Sequence, residues 1–290
     1  MPDPLAVPAQ ARAELEELAV ALAIEAGVMV RDERPAHMGV HRTKSTDLDV
    51  VTVMDTRSEE LLRARLADAR PDDAVLGEEA GLSGGTSGLS WVLDPIDGTV
   101  NYLYALPAYA VSVAVVVGDP TVPGAWAPGA GAVMNPRTDE VFHARAGGGA
   151  HLLTAEDSRP LRVTAGEDLD GALLATGFSY DREVRVDQAA VVADLLPRVR
   201  DVRRMGAAAL DLCHVAAGRV DGYWERGCHA WDVAAGMLVV TEAGGLVTGL
   251  GPDDPVSEDM VVAAGSRLHP VLREELQRLV EGRPRTTPPS

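Results

Sequence analysis

Cysteine is scarce: Cys213 and Cys228 are the only two in 290 residues. Two thiols are too few to staple a secreted scaffold, so both are expected to lie reduced in a cytoplasmic core. Long apolar runs are missing too. The richest stretch, residues 109–117, falls far short of the ~20 residues that a bilayer-spanning helix needs. The first twelve residues hold three prolines and an aspartate but no apolar segment of the kind a secretory signal carries. The chain is therefore expected to be soluble and cytoplasmic, with no membrane partner. Basic residues are in deficit, 26 Lys+Arg against 44 Asp+Glu, for a formal charge of −18. Nucleic-acid binding relies on clustered Lys and Arg, so this balance argues against a nucleic-acid partner. It leaves room for a small anionic substrate held through metal ions. No internal repeat is present.

Apolar residues make up 46% of the chain, enough for a sizeable core. Leu15, Leu18, Leu22 and Ala26 recur at helical spacing and predict an amphipathic helix over residues 11–31. A β-branched run at 49–54 predicts a short strand. Helical periodicity over 55–69 follows, with Asp55 or Thr56 placed to cap it. Residues 91–93 read as a buried strand halted at Asp94-Pro95. Segments 109–117, 131–135 and 140–144 read as successive strands separated by Gly/Pro turns, which suggests an antiparallel sheet. After residue 163 the rhythm turns to strand–helix alternation: strands at 172–176, 220–224 and 260–264, helices at 188–196, 207–217, 233–243 and 269–281. The expected class is α+β, with an antiparallel sheet in the N-terminal half and a mixed α/β C-terminal half. The expected organisation is a flexible start (1–10), an N-terminal subdomain (11–165), a C-terminal subdomain (166–281) and a flexible tail (282–290).

Three acidic clusters lie at the ends of elements instead of on solvated helix faces. They are Gly77-Glu78-Glu79, then Asp94-Pro95-Ile96-Asp97-Gly98-Thr99 after an apolar run, and Trp231-Asp232 opening an apolar helix. Buried beside Leu93, Ile96 and Trp231, such acids are costly unless something cationic compensates them. Each has an ordinary structural alternative. Asp232 can serve as a helix cap, Asp94-Pro95 and Asp97-Gly98 as turns, and Glu78-Glu79 as a solvated pair. Taken together, oxygen ligands without a His or Cys cluster favour Mg²⁺ over Zn²⁺. Carboxylate-bridged metal pairs recur in phosphate-ester hydrolysis, and Gly98-Thr99 offers backbone N–H groups as a phosphate cradle.

The order GEE (77–79), DPIDGTVNY (94–102) and WDVAAG (231–236) resembles the inositol monophosphatase family of Mg²⁺-dependent, lithium-sensitive phosphatases. The resemblance runs from about Leu15 to Leu279. Lys44, eleven residues before Asp55, also fits it, as do the blocks at 203–212 and 220–225. It implies a layered αβαβα sandwich, commonly assembled as a homodimer. It also implies that Glu78, Asp94 and the carbonyl of Ile96 hold one Mg²⁺, while Asp94, Asp97 and Asp232 hold a second. Glu78 would face a weaker third ion through water. Asp55 and Thr99 would orient and deprotonate the attacking water, with Lys44 and Glu79 behind the ligands. Gly98 and Thr99 would grip the phosphate, and Gly206, Ala207, Ala208 and Glu225 would face the alcohol.

Val100-Asn101-Tyr102 resembles the inositol-phosphatase branch of that family, and with Glu225 this resemblance implies a phosphorylated polyol or sugar as substrate, with myo-inositol 1-phosphate foremost. Ala207 stands where many members carry Ser or Thr, and Arg226 and His229 add basic character beside Glu225. These departures keep fructose 1,6-bisphosphate open, and the scaffold also serves histidinol phosphate and 3′-phosphoadenosine 5′-phosphate in other branches. A non-catalytic binding or regulatory module is the alternative of another class.

Overall fold

Buried residues three and four apart build the first helix, α1 (Ala9–Asp32), through Leu15, Ala19, Leu22, Ala26 and Val30. The computed structural model describes residues 2–36, 40, 42–43 and 50–282. Lys44 and the segment after Gly282 lie outside the described residues. A two-stranded ladder, β1 (Arg42–Thr43) with β2 (Val50–Val51), leads into α2 (Val53–Ala69). The strand expected over 49–54 is cut short at Val51, with Asp49 itself outside the described residues. The reason is a capping box. Thr52 is the N-cap of α2 and Asp55 its third residue, so the cap lies upstream of the Asp55 or Thr56 that periodicity suggested.

The first large sheet comprises β3 (Ala74–Gly77), β4 (Gly81–Ser83), β5 (Leu89–Asp97), β6 (Ala110–Gly118), β7 (Trp126–Asn135), β8 (Glu140–Arg145), β9 (Gly149–Leu153) and β10 (Ser158–Pro160). A short helix, α3 (Thr99–Leu103), separates β5 from β6. The strand order is β10-β9-β8-β7-β6-β5-β3-β4, antiparallel except for β3 beside β5. Strand β5 does not stop at Asp94-Pro95 as expected. It continues to Asp97 through a register shift between Asp94 and Asp97, and such an irregularity is where a proline fits inside a sheet.

The C-terminal half supplies β11 (Leu173–Thr176), α4 (Arg182–Leu195), β12 (Asp201–Arg203), α5 (Ala208–Ala216), β13 (Gly222–Glu225), α6 (Ala230–Glu242), β14 (Gly245–Thr248), β15 (Val261–Gly265) and α7 (Leu268–Glu281). Helix α4 starts six residues before the expected 188, because Asp181 caps it by accepting from the Glu183 and Val184 N–H groups. The five strands order as β12-β11-β13-β15-β14, with β11 parallel to both its neighbours and the other pairs antiparallel.

Both sheets are apolar on two faces, and that dictates the layering. In β5 and β6, Trp91, Leu93, Val111, Val113 and Val115 pack with α1, while Val92, Ala110, Ala114 and Val116 point to the opposite face. Helices α5 and α6 fill the space between the two sheets, and α7 covers the outer face of the second. The result is the αβαβα sandwich. No helix among the described residues is long and apolar enough to cross a membrane. The layering brings the C-terminal end of β5 against the N-terminal ends of α5 and α6.

Candidate active site

The irregular end of β5 aims its two aspartates. Asp94 folds back so that its Oδ1 accepts from the Ile96 N–H at 3.0 Å. Gly98 follows with φ of 88°, a left-handed conformation that a side chain disfavours. A Cβ there would also lie 2.9 Å from the Ala108 carbonyl, so only glycine lets the chain turn at this point.

Asp97 reaches across the molecule. Its carboxylate accepts from the Ala208 N–H at 3.1 Å and the Ala209 N–H at 2.7 Å, and so caps α5. That helix has no cap of its own, since Ala207 stands at its N-cap position. Asp232 is the third residue of α6, not its N-cap. His229 holds the N-cap position, and its N–H donates to Asp232 Oδ2 at 2.6 Å.

Carboxylate oxygens of Asp94, Asp97 and Asp232 all lie within 4.8 Å of one another. Burial pushes the Asp97 carboxyl well above the usual range, and the charges of Asp232, Glu225 and Glu78 push it further. Such a cluster is complementary to a cation. Its ligands are all oxygen, the donor set of a hard divalent ion. Glu78, Ile96, Gly98 and Thr99 line the same cavity of about 430 Å³, with Gly206, Ala208 and Glu225 on its other side.

Asp55 lies behind this wall with none of its surface exposed. Its Oδ2 accepts from the Thr52 N–H at 2.8 Å and from the Thr52 hydroxyl, and its Oδ1 faces the Thr99 hydroxyl at 2.9 Å. Burial raises the Asp55 carboxyl above its ordinary value, against the lowering effect of these hydrogen bonds. Thr99 Oγ1 also lies 3.0 Å from the Ile96 carbonyl, so its hydroxyl is held between acid and cavity.

At the far end, Glu225 accepts from the Tyr223 hydroxyl at 2.7 Å. Desolvation lifts its carboxyl to about 7, the Tyr223 bond opposing and the Asp232 charge assisting. Ala207 packs beneath Gly98 with 1% of its surface exposed, so the lining passes from Gly206 to Ala208. Arg226 and His229 both line the cavity, and His229 stacks on Trp231 with ring centroids 4.6 Å apart.

Sequence reasoning missed Glu59. This acid on α2 is buried, and its carboxylate accepts from the Glu79 N–H at 2.7 Å, the Ala80 N–H at 3.0 Å and Arg63 Nε at 2.7 Å. It thereby holds the turn that carries Glu78. Gly77 is the glycine that this contact requires, because a Cβ there would collide with the pinned carboxylate. Gly77→Ala is expected to cost about 2 kcal/mol by overpacking. It should also weaken divalent-cation binding by about tenfold if Glu78, carried on that turn, joins the aspartate cluster. A thermal melt and a Mg²⁺ titration check both. The signal for Glu59 was faint, since it sits within Ser58-Glu59-Glu60 like any solvated helix acid. Asn101, singled out above for the substrate, instead donates to the Ala108 and Met205 carbonyls at 2.7 Å and so fixes the Gly206 turn against Gly98.

A family model described as the inositol monophosphatase family matches residues 11–281. An inositol-1-monophosphatase named SuhB from Mycobacterium tuberculosis (strain ATCC 25618 / H37Rv) is 45% identical over 280 residues, covering 92% of this chain and 94% of its own. A protein of Pasteurella multocida named Nus factor SuhB is 38% identical over 263 residues, covering 90% of this chain and 94% of its own. The solved structure of Mycobacterium tuberculosis SuhB matches with a TM-score of 0.78 at 44% identity, covering 92% of this chain and 97% of that one.

Proposed function

The chain belongs to the inositol monophosphatase family and is a phosphoric monoester hydrolase, and on that premise we propose that it hydrolyses myo-inositol 1-phosphate to inositol and phosphate with Mg²⁺. The observation that carries this reading is the convergence of Asp94, Asp97 and Asp232 beside the Thr99–Asp55 pair.

Asp94, Asp97 and Asp232 would hold one ion, and Glu78, Asp94 and the Ile96 carbonyl another. The four carboxylates then carry −4, which two divalent ions balance. When bound, the ions supply Lewis acidity, neutralising the phosphate and favouring deprotonation of water. The chain's own residues do the rest. The N–H groups of Gly98 and Thr99, at the start of α3, would orient the phosphate. Thr99 Oγ1 accepts a proton from the attacking water as it passes its own to Asp55 Oδ1. Burial favours that transfer, because a desolvated carboxylate holds a proton more readily. The Thr52 bonds keep Asp55 from turning away. Glu225 offers its carboxylate to hydroxyls of the alcohol. Phosphoryl transfer asks mainly for such positioning and charge neutralisation.

The name of the Pasteurella multocida relative raises a binding role as the other reading. Binding alone gives no reason to converge buried acids on a hydroxyl–carboxylate pair, so catalysis is favoured. The test is inorganic-phosphate release with Mg²⁺ across myo-inositol 1-phosphate, fructose 1,6-bisphosphate, histidinol phosphate and 3′-phosphoadenosine 5′-phosphate. Inositol 1-phosphate should be turned over. Activity confined to the nucleotide would overturn the substrate, and no activity on any would overturn the reading.

A further inference from the structure

Asp55 and Thr99 come from two different helices, and neither helix by itself fixes the distance between them. Asp55 is set by its bonds to Thr52 in the first turn of α2, and Thr99 opens α3. Helix α3 has five residues, too few to hold a direction of its own, so its orientation depends on what grips it. Asn101 ties its middle to the Ala108 and Met205 carbonyls. The far end needs a grip of its own.

The end of α1 supplies it. Arg34, two residues past that helix, donates from Nη2 to the Tyr102 carbonyl at 3.1 Å and to the Leu103 carbonyl at 3.2 Å. Carbonyls in the last turn of a helix lack donors from the helix itself, and a guanidinium can serve two of them at once. The same guanidinium stands 5.3 Å from the centre of the Tyr102 ring. Tyr102 is fully buried, donates its hydroxyl to the Val30 carbonyl of α1 at 2.8 Å, and meets Tyr109 edge-on at 5.0 Å between centroids. Arg34 and Tyr102 together lock α3 to α1.

The neighbouring residue holds the other helix. Glu33 pairs with Arg57, two residues after Asp55 on α2. That pair is exposed on both sides and contributes little alone. Arg34 carries more of the load, because its bonds are partly buried and reach backbone that cannot swing away. Its Nε is buried without a partner among the described residues, a cost that an apolar side chain of similar length would avoid. Between the two gripped helices, the Thr99 hydroxyl meets Asp55 Oδ1 at 2.9 Å. Arg34 itself does not line the catalytic cavity.

We propose that Arg34 is a positioning residue for the proton relay, holding α3 so that the Thr99 hydroxyl stays within hydrogen-bond reach of Asp55. The inference rests on the hydrolase reading and on the relay given to these two residues, and it deepens both.

Arg34→Met keeps the length of the side chain and removes its donors. With myo-inositol 1-phosphate and Mg²⁺ it should lower kcat by about 10- to 100-fold, the cost of misplacing a reacting group by about 1 Å. KM and the Mg²⁺ concentration for half-maximal activity should stay within about twofold of wild type. Arg34→Lys should recover part of the loss, since an ammonium can reach a carbonyl but lacks the planar fork. In a Thr99→Ala background no hydroxyl remains to be placed, so Arg34→Met should cost less than about threefold more. The full loss in that background, a loss carried by KM, or an unchanged kcat with a lowered melting temperature overturns the inference and leaves the relay standing. Wild-type kcat in Thr99→Ala itself defeats the relay and the inference with it. If inositol 1-phosphate is not turned over at all, the hydrolase reading fails, and a crystal structure of Arg34→Met decides. The Thr99 hydroxyl should then lie beyond about 3.5 Å of Asp55; a pair still at 2.9 Å overturns the inference.

Discussion

Asp94→Asn is expected to reduce turnover by at least about 10³-fold, since shared metal ligation supplies several kcal/mol of transition-state stabilisation. The substitution is nearly isosteric, and an amide oxygen can still accept from the Ile96 N–H that fixes the register shift. What it removes is one negative charge and the only side chain assigned to both ions. Phosphate release should therefore collapse while far-UV circular dichroism and the melting temperature stay close to wild type. Activity within tenfold of wild type would defeat the shared assignment of Asp94.

Asp55→Asn comes second in size. Removing a general base costs about 10²–10⁴-fold, and the proposed relay gives Asp55, 2.9 Å from the Thr99 hydroxyl, the proton that Thr99 passes on. The Asn amide has one accepting atom where the carboxylate has two. It can keep the Thr52 bonds or face the Thr99 hydroxyl, but not both. A stability cost of about 1 kcal/mol follows from the weakened capping box. Thr99→Ala should cut kcat by a similar factor, and the double variant by little more, because residues acting as one unit lose their effect together. Additive losses in the double variant, or a change confined to KM, would contradict a proton relay.

Much of this architecture was legible because its signals are local. The apolar run at 91–93 marked β5, although the strand continues past Pro95 to Asp97, and the apolar residues around Asp94 and Asp97 pointed to acids held inside the protein. Helical periodicity found α1, α5 and α6 to within a few residues. Most of the errors at helix starts come from capping, which periodicity alone does not locate. Asp232 looked like the N-cap of its helix, yet His229 holds that place. Asp55 looked like a cap, yet Thr52 is the cap and Asp55 its reciprocal partner.

Asp97 is the clearest case. It caps a helix that begins at Ala208, and the only trace in the sequence is the lack of any polar residue at Gly206 or Ala207 to do so. Glu59 was hidden for the converse reason. A charged residue on an amphipathic helix is assumed to face water, and only the folded turn at Gly77 shows what it holds.

The central claim is that buried carboxylates hold divalent ions which hydrolysis of a phosphate monoester requires. Phosphate release from myo-inositol 1-phosphate by protein stripped of divalent ions, before and after Mg²⁺ is restored, tests it most directly. Release should be absent from the stripped protein and return with Mg²⁺. Undiminished release without any divalent ion would contradict the account.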